Sequence, residues 1–507
     1  MLKKNNISLA IILFLGTLLR LLHITKNDLW FDEVLSIPFP INGIYHSHPL
    51  YPRPFLLYNN FLKYWTEIFG RQTLFLRLPS ALFSISTMFL VYLFAKKLFG
   101  NYRIALIATA FFAFSPFQIW YAQEARNYPL AMLFSILAAY FLYSFSKNNS
   151  IKQLLCYYSF AILGAFTHPF CIILNCIQSL FMLLDKIGWR KKILILIPLL
   201  ILPFIFYKSY NDFIFLKSGF WIPIPNIQSL IISLENMFLG YTGTKTLYIL
   251  IDILLALAFA LSFKQLVNKT DKISQLIFCL ISFFLPIVII YYFSIVFKSL
   301  YLDRGFIIFT PYYYIWLGYM IEKIDSNMIK KFIFVSLIFI LSIGLFRYYT
   351  NNMFEPNKST HHIGAYIKKP FKPLSIFLQN NLKDNDIVLS GNMSLVPPLY
   401  VYLDKRNLEW KLLSVLCAYD PNIVNPVFQR PHRDIFKNPK FFISKEQIYG
   451  LSKEKGGKIF FLGCDWARSG KLDDNSLSVK GELDKRYRLV EMRDFNGINL
   501  CIYKTGE

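Results

Sequence analysis

Apolar stretches recur along the first 350 residues, most of them about as long as a bilayer's hydrocarbon core is thick. A helix rises 1.5 Å per residue, so roughly 20 apolar residues cross a core of about 30 Å. The stretches fall at about 7–24, 74–95, 104–122, 127–145, 154–168, 170–184, 193–207, 246–263, 274–297, 305–321 and 332–349. That makes about eleven spans. Composition excludes a soluble alternative: 55% of the 507 residues are hydrophobic and 17% charged, against roughly 25% charged in soluble domains. Fifty-one Phe and 32 Tyr add more apolar bulk than one soluble core can hide. The chain is expected to be a polytopic α-helical membrane protein.

The net charge of +24 invites a nucleic-acid reading, but its distribution argues against one. The first 349 residues carry a net +17 and the remainder +7, so most of the excess lies between apolar runs. Alternate connections hold Lys3/Lys4, Lys96/Lys97/Arg103, Lys147/Lys152, Lys186/Arg190/Lys191/Lys192, Lys264/Lys269/Lys272 and Lys323/Lys330/Lys331. Short basic connections mark the cytoplasmic side. The N-terminus is then inside, its MLKKNN start reading as an uncleaved first span that lacks a small-residue cleavage site. An odd span count places the C-terminal tail outside, in a cell or inner membrane.

The opposite connections are longer and more varied. The first, about 25–73, contains Asp28, Asp32, Glu33 and Glu67, and its FLLYNNFLKYWTEIF segment suits an amphipathic helix in the interface. A second, about 208–245, contains Trp221, a Pro-rich IPIPN and an apolar stretch from Ile227 to Phe238. From about residue 351 the composition is that of a soluble domain. Leu374–Leu382 has helical spacing, DIVLS and KIFFLG read as strands, and Asn496-Gly497 between 486–495 and 498–503 signals a hairpin. The expected organisation is a membrane core over 1–350 and an extracytoplasmic α/β domain over 351–507. Cys417, Cys464 and Cys501 in that tail allow one disulfide with one thiol left over; Cys156, Cys171, Cys176 and Cys279 read as core residues.

Candidate chemistry gathers on the outer side. Asp32-Glu33 in LWFDEVLS place two carboxylates at a membrane surface, where burial raises a carboxyl toward general-base range; a solvated loop acid is the plainer alternative. In QIWYAQEARNYPL, Glu124 and Arg126 lie among Trp120, Tyr121 and Tyr128. An aromatic belt with an incidental ion pair would look the same. A guanidinium beside aromatic rings also suits a sugar phosphate, since Arg matches phosphate oxygens bidentately. HSHPLYPRP carries His46, His48 and Arg53, without further metal-ligand spacing. Thr167-His168-Pro169 forms the next outer turn, and KSLYLDRGF brings Lys298, Asp303 and Arg304. All converge on one side of the membrane.

In order, the FDE after the first span, the His-Pro-containing loop, RLPSALFSISTMFLVYLFAKKLFG, SPFQIWYAQEARNYPLAMLF, the THP turn and DRGFIIFTPYYY resemble one family. It is the bacterial branch of the dolichyl-phosphate-mannose–protein mannosyltransferase-like proteins, glycosyltransferase family 39 and relatives, including lipid A aminoarabinose transferases. The resemblance is strongest over about 25–145 and near 300–320. It implies a GT-C fold and transfer of a sugar from a polyprenyl-phosphate-linked donor to a protein, lipid A or another cell-surface glycan, outside the membrane and with inversion. On this reading Asp32, with Glu33 beside it, and Glu124 act at the reaction centre. Arg304 leads as holder of the donor phosphate, followed by Arg126, Arg53 and Arg77; His48, Tyr128 and His168 face sugar or acceptor. Two departures stand out: HPLYPRPF is less compact than the family's His-Pro-Pro-Leu-Tyr, and DRGF lacks the Tyr that follows Arg there. No cofactor is implied with certainty, and a divalent metal is left open. The implied partners are the donor, the bilayer and an acceptor, with no nucleic acid.

Two other classes fit a basic polytopic chain. A transporter or flippase for lipid-linked sugars normally carries ionisable groups near the midplane in repeated halves; here Asp252 is the mid-span acid and no repeat is visible. A non-catalytic assembly protein would make the outer acids dispensable.

Overall fold

The structure is a computed structural model. It describes residues 2–37, 40–41, 44–45, 57–148, 150–184, 188–197, 222–268, 271–353, 368–383, 385–403, 415–419, 442–448, 457–465 and 471–505. They divide into two compact units, one from the described residues of 1–24, 52–214 and 221–365, the other from those of 25–51 and 366–507.

In the first unit the helices are α1 (Leu2–Leu21), α3 (Leu57–Phe69), α4 (Thr73–Phe99), α5 (Tyr102–Phe114), α6 (Pro116–Ala122), α7 (Tyr128–Asn148), α8 (Ile151–Ala165) and α9 (Pro169–Leu184). After them come α10 (Ile227–Leu239), α11 (Lys245–Val267), α12 (Ile273–Val296), α13 (Asp303–Phe306), α14 (Thr310–Glu322) and α15 (Asn327–Tyr349). Among the described residues α4, α7, α11, α12 and α15 are long and apolar enough to cross a membrane. α5 and α6, bent by 59° at their junction, are together long and apolar enough for a sixth, and α1, α8 and α9 are shorter apolar helices. Every expected span falls on helix except 198–207, which lies outside the described residues. Apolar side chains remain exposed along these helices, among them Phe263, Phe332 and Phe339, as lipid-facing positions require.

One expectation changes and another holds. The stretch 104–122 is a broken span: Ser115-Pro116 ends one helix and starts the next, because Pro fits the first helical turn and Ser caps it. The amphipathic helix expected over 55–69 is α3, which buries Tyr58, Leu62 and Thr66 at four-residue spacing and leaves Tyr64 and Ile68 exposed.

The second unit begins with α2 (Phe31–Ser36) and a short antiparallel pair, β1 (Pro40–Ile41) with β2 (Ile44–Tyr45). Helices α16 (Phe371–Asn381), α17 (Val396–Tyr402) and α18 (Asp474–Arg486) flank a six-stranded sheet. Its strands are β3 (Ile387–Ser390), β4 (Val415–Tyr419), β5 (Phe442–Ser444), β6 (Lys458–Cys464), β7 (Arg488–Asp494) and β8 (Ile498–Lys504), in the order β5-β4-β3-β6-β8-β7. The first four strands in that order run parallel, and β8 and β7 continue antiparallel. Central β3 is buried at every position, as parallel strands covered on both faces are. The β7–β8 turn has Asn496 at φ 50° and Gly497 at φ 100°, the two positive angles its sequence implied.

The expected boundary near 350 puts residues 25–51 with the membrane core, whereas the structure groups the described ones, 25–37, 40–41 and 44–45, with the sheet. The Leu29 N–H donates to Tyr402 Oη (2.7 Å) and the Lys372 N–H to Asp28 Oδ2 (2.8 Å). Helix α2 packs on α17. Strand order reverses between β3 and β6, where open sheets usually present a ligand crevice. Here the loops at that point bind one another: Asn392 Nδ2 donates to Asp473 (3.3 Å) and Asn475 Nδ2 to Gly391 O (2.5 Å). Cys464 and Cys501 are buried free thiols, so no disulfide joins them; the Cys417 side chain lies outside the described residues. Phe461 is the residue paired across from Cys501, which sets the two cysteines three positions out of register.

Candidate active site

The turn carrying Glu124 and Arg126 exists because the third crossing breaks. After Pro116, α6 supplies under two turns of helix, ends at Ala122, and the chain reverses through 123–127 into α7. Glu124 is fully buried and Arg126 is 3% exposed. Neighbours fix the turn at several points. Ser80 Oγ on α4 donates to Arg126 O (3.1 Å) and is itself bonded to Tyr58 Oη of α3 (3.0 Å). Asn127 Nδ2 donates to Thr167 O (2.9 Å), joining the turn to the one between α8 and α9.

That second turn holds His168. Its Nδ1 accepts the Phe170 N–H (3.2 Å), so the neutral ring carries its proton on Nε2 and presents a donor there. Burial, reinforced by the guanidinium groups of Arg126 and Arg304, holds the imidazole down to about 3, and it stays neutral at physiological pH. Tyr128 packs edge-on to Tyr121 of α6 and tilted against His168, with ring centroids 5.6 Å from each. The Arg126 guanidinium lies 5.3 Å over the Tyr128 ring and donates to its hydroxyl (3.3 Å).

Arg304 comes from the short α13 and is 6% exposed. A side chain at Gly305 would meet the Phe170 ring at 2.5 Å, so glycine here lets that ring lie against the backbone beside Arg304. The preceding Asp303 is fully buried and doubly held: Oδ1 accepts from Ser233 Oγ and Oδ2 from Asn236 Nδ2, both at 2.6 Å. Tyr301 Oη donates to the same Ser233 Oγ (2.9 Å). Tyr121 and Tyr241 share a hydroxyl–hydroxyl bond of 2.8 Å, and the charges of Glu124 and Arg304 act on both. One buried group thus contains Glu124, Arg126, Tyr128, His168 and Arg304, with Asp303 at its side. Two cations, a carboxylate, a neutral imidazole donor and aromatic rings can hold a phosphate and a sugar.

Arg77 is buried on α4 and donates to Ile24 O (2.7 Å), tying it to the end of α1. Asp32 and Glu33 belong to the other unit, on α2; Glu33 is buried and accepts the Trp30 N–H (3.4 Å), while Asp32 is half-buried. His46, His48 and Arg53 lie outside the described residues. Sequence reasoning missed Ser233 and Asn236, although their i, i+3 spacing on an outer apolar helix was a usable signal. Among the described residues no three His, Cys, Asp or Glu side chains group as a metal site.

This fold and site define a class, the polytopic membrane proteins of GT-C type. Within that class, residues 47–208 match the family described as dolichyl-phosphate-mannose-protein mannosyltransferase. The match bears out the resemblance; it takes in Glu124, Arg126, Tyr128 and His168 and excludes Asp32 and Arg304. ArnT from Cupriavidus metallidurans, solved in the apo state and bound to undecaprenyl phosphate, superposes with a TM-score of 0.58 at 9% identity over 97% of each chain. The archaeal oligosaccharyltransferase AglB from Archaeoglobus fulgidus, solved with an inhibitory peptide and a dolichol-phosphate, superposes at 0.53 with 10% identity. That superposition covers 97% of this chain and 79% of AglB. At such identities the shared property is the fold. Comparison with curated protein sequences returns no match.

Proposed function

We propose that the protein transfers a sugar from a polyprenyl-phosphate donor to an acceptor hydroxyl on the extracytoplasmic side of the membrane. The observation that carries this reading is the buried group of Glu124, Arg126, His168 and Arg304, an anion-and-sugar site built at one broken span. The fold it shares with proteins solved bearing undecaprenyl phosphate and dolichol-phosphate supports the donor class. The basic connections support an outer location for both 123–127 and the sheet domain.

In the proposed step the acceptor oxygen bonds to the anomeric carbon as the carbon–oxygen bond to phosphate breaks. The acceptor proton passes to Asp32 of the first outer loop. The electron pair leaves with the polyprenyl phosphate, whose charge Arg304 and Arg126 hold. A single displacement inverts the anomeric centre. Glu124 orients the sugar end of the donor, with His168 Nε2–H and Tyr128 facing sugar or acceptor. The acceptor is a protein, lipid A or another surface glycan.

The test incubates membranes with labelled polyprenyl-phosphate sugars and follows the label into protein, lipid and glycan fractions. Asp32→Asn and Arg304→Ala should each lower transfer by about a hundredfold or more with the chain still inserted. Wild-type membranes that move no label to any fraction, or an Asp32→Asn variant with near-normal transfer, overturn the assignment.

A further inference from the structure

A broken span leaves backbone groups that water cannot reach. At the α5–α6 break the orphaned carbonyls belong to Phe112 and Ala113, and an arginine from another helix takes them. Arg20 of α1 is fully buried and donates from Nη2 to Phe112 O and from Nη1 to Ala113 O, both at 3.1 Å. Its Nη1 also reaches Gly16 O (2.9 Å), its Nε reaches Ser84 Oγ on α4 (2.8 Å), and its guanidinium lies 5.3 Å over the Phe112 ring. A cation at a helix C-terminus is favourably placed against the helix dipole.

The helix that donates this arginine ends with orphaned carbonyls of its own, and the broken span returns the bond. Gln123, the residue after α6, donates from one Nε2 to Leu19 O (3.1 Å), Arg20 O (3.1 Å) and Leu22 O (2.7 Å). Its Oε1 accepts from Tyr348 Oη on α15 (2.7 Å), whose neighbour Tyr349 donates to Leu19 O. Each helix end is therefore completed by a side chain from the other. The residue after Gln123 is Glu124. A charged group inside a membrane bundle costs about 3 kcal/mol even by lenient scales, so Arg20 needs a return of that order.

We infer that Arg20 and Gln123 form a reciprocal clasp between α1 and the α5–α6 break that sets the position of Glu124 and Arg126, making both of them positioning residues for transfer. The inference rests on the transferase reading. Neither side chain need touch substrate. A misplacement of about 1 Å at a reacting centre can cost a hundredfold in rate, which gives the clasp its leverage.

The experiment compares purified full-length wild type with Arg20→Met, Arg20→Lys, Gln123→Leu and Tyr348→Phe, measuring folded amount, donor KM and kcat. Arg20→Met and Gln123→Leu should lower kcat per folded molecule about tenfold or more with donor KM little changed, and Arg20→Lys should recover part of the loss. Tyr348→Phe, which keeps every backbone bond of Gln123, should lower kcat by roughly threefold while folding normally. The clasp is overturned if activity falls only in proportion to folded protein, or if Tyr348→Phe turns over at the wild-type rate when the harsher variants do not fold. Absence of transfer by wild type itself would instead sink the transferase reading, so the two failures are distinguishable.

Discussion

The two units differ in where they place buried polar groups. In the sheet unit the backbone ladder satisfies the strands, and the core between sheet and helices is apolar: Val388, Phe460, Leu462, Leu500 and Ile502 pack on one face, Leu389, Phe461, Val479 and Leu483 on the other. In the membrane unit Arg20, Arg77, Asp303, Glu124 and Arg126 are all buried, at or beside helix ends. Lipid tails are as apolar as leucine, so apolar burial alone does not specify how membrane helices meet. A charged side chain aimed at the orphaned carbonyls of a neighbouring helix does. Water supplies specificity to the first unit's counterpart through exclusion; within the bilayer the ions supply it.

Three substitutions sharpen or break that contrast. The largest effect is expected in the sheet unit, where Phe461→Ala removes a fully buried ring and should cost about 4 kcal/mol, read as a lower unfolding midpoint of the full-length protein. Next comes Asp303→Leu, of similar volume but without oxygens. It strands Ser233 Oγ and Asn236 Nδ2 and should cost about 3 kcal/mol by thermal unfolding in detergent, with Asp303→Asn milder. A neutral result for Asp303→Leu would mean that apolar packing specifies the bundle after all.

The smallest effect is at Asp473, which caps α18 by accepting the Ser476 N–H (3.0 Å) and Ser476 Oγ (2.7 Å). Asp473→Ala should cost about 1 kcal/mol. Burial pushes this carboxyl above its ordinary range, against the hydrogen bonds from Ser476 and Asn392. The folded value lies above the unfolded one, so the associated stability is fully present below the unfolded pKa and is lost as pH rises through the folded pKa. Asp473→Asn should flatten that stretch of the stability–pH curve, and an unchanged curve would remove Asp473 from the account.

Sequence pattern made strands β3, β6, β7 and β8 and the Asn-Gly turn legible because they are local signals, while β4, β5, α17 and α18 went unread. Of the expected site residues, Glu124, Arg126, Tyr128, His168 and Arg304 lie together in the membrane unit. Less visible was what holds them. Arg20 reads as a span-end arginine, and Gln123 as one letter of a longer motif, until the break at Ser115-Pro116 is known. Hydropathy runs straight through that break, since both pieces are apolar; only the Ser-Pro pair marks it. The allegiance of residues 25–51 was hidden for a different reason. It depends on hydrogen bonds from Leu29 and Lys372 that join positions more than 300 apart.

That distance along the chain has a consequence for biosynthesis. The segment bearing Asp32 leaves the ribosome near the beginning, and the strands it belongs with are made last. At 5–20 residues per second the interval is on the order of 20–90 s, during which the intervening helices are made. The sheet unit therefore closes only after the helices between its two pieces have been made. A chain truncated before α16 would hold its membrane helices and lack Lys372 and Tyr402, the residues that bind Asp28 and Leu29.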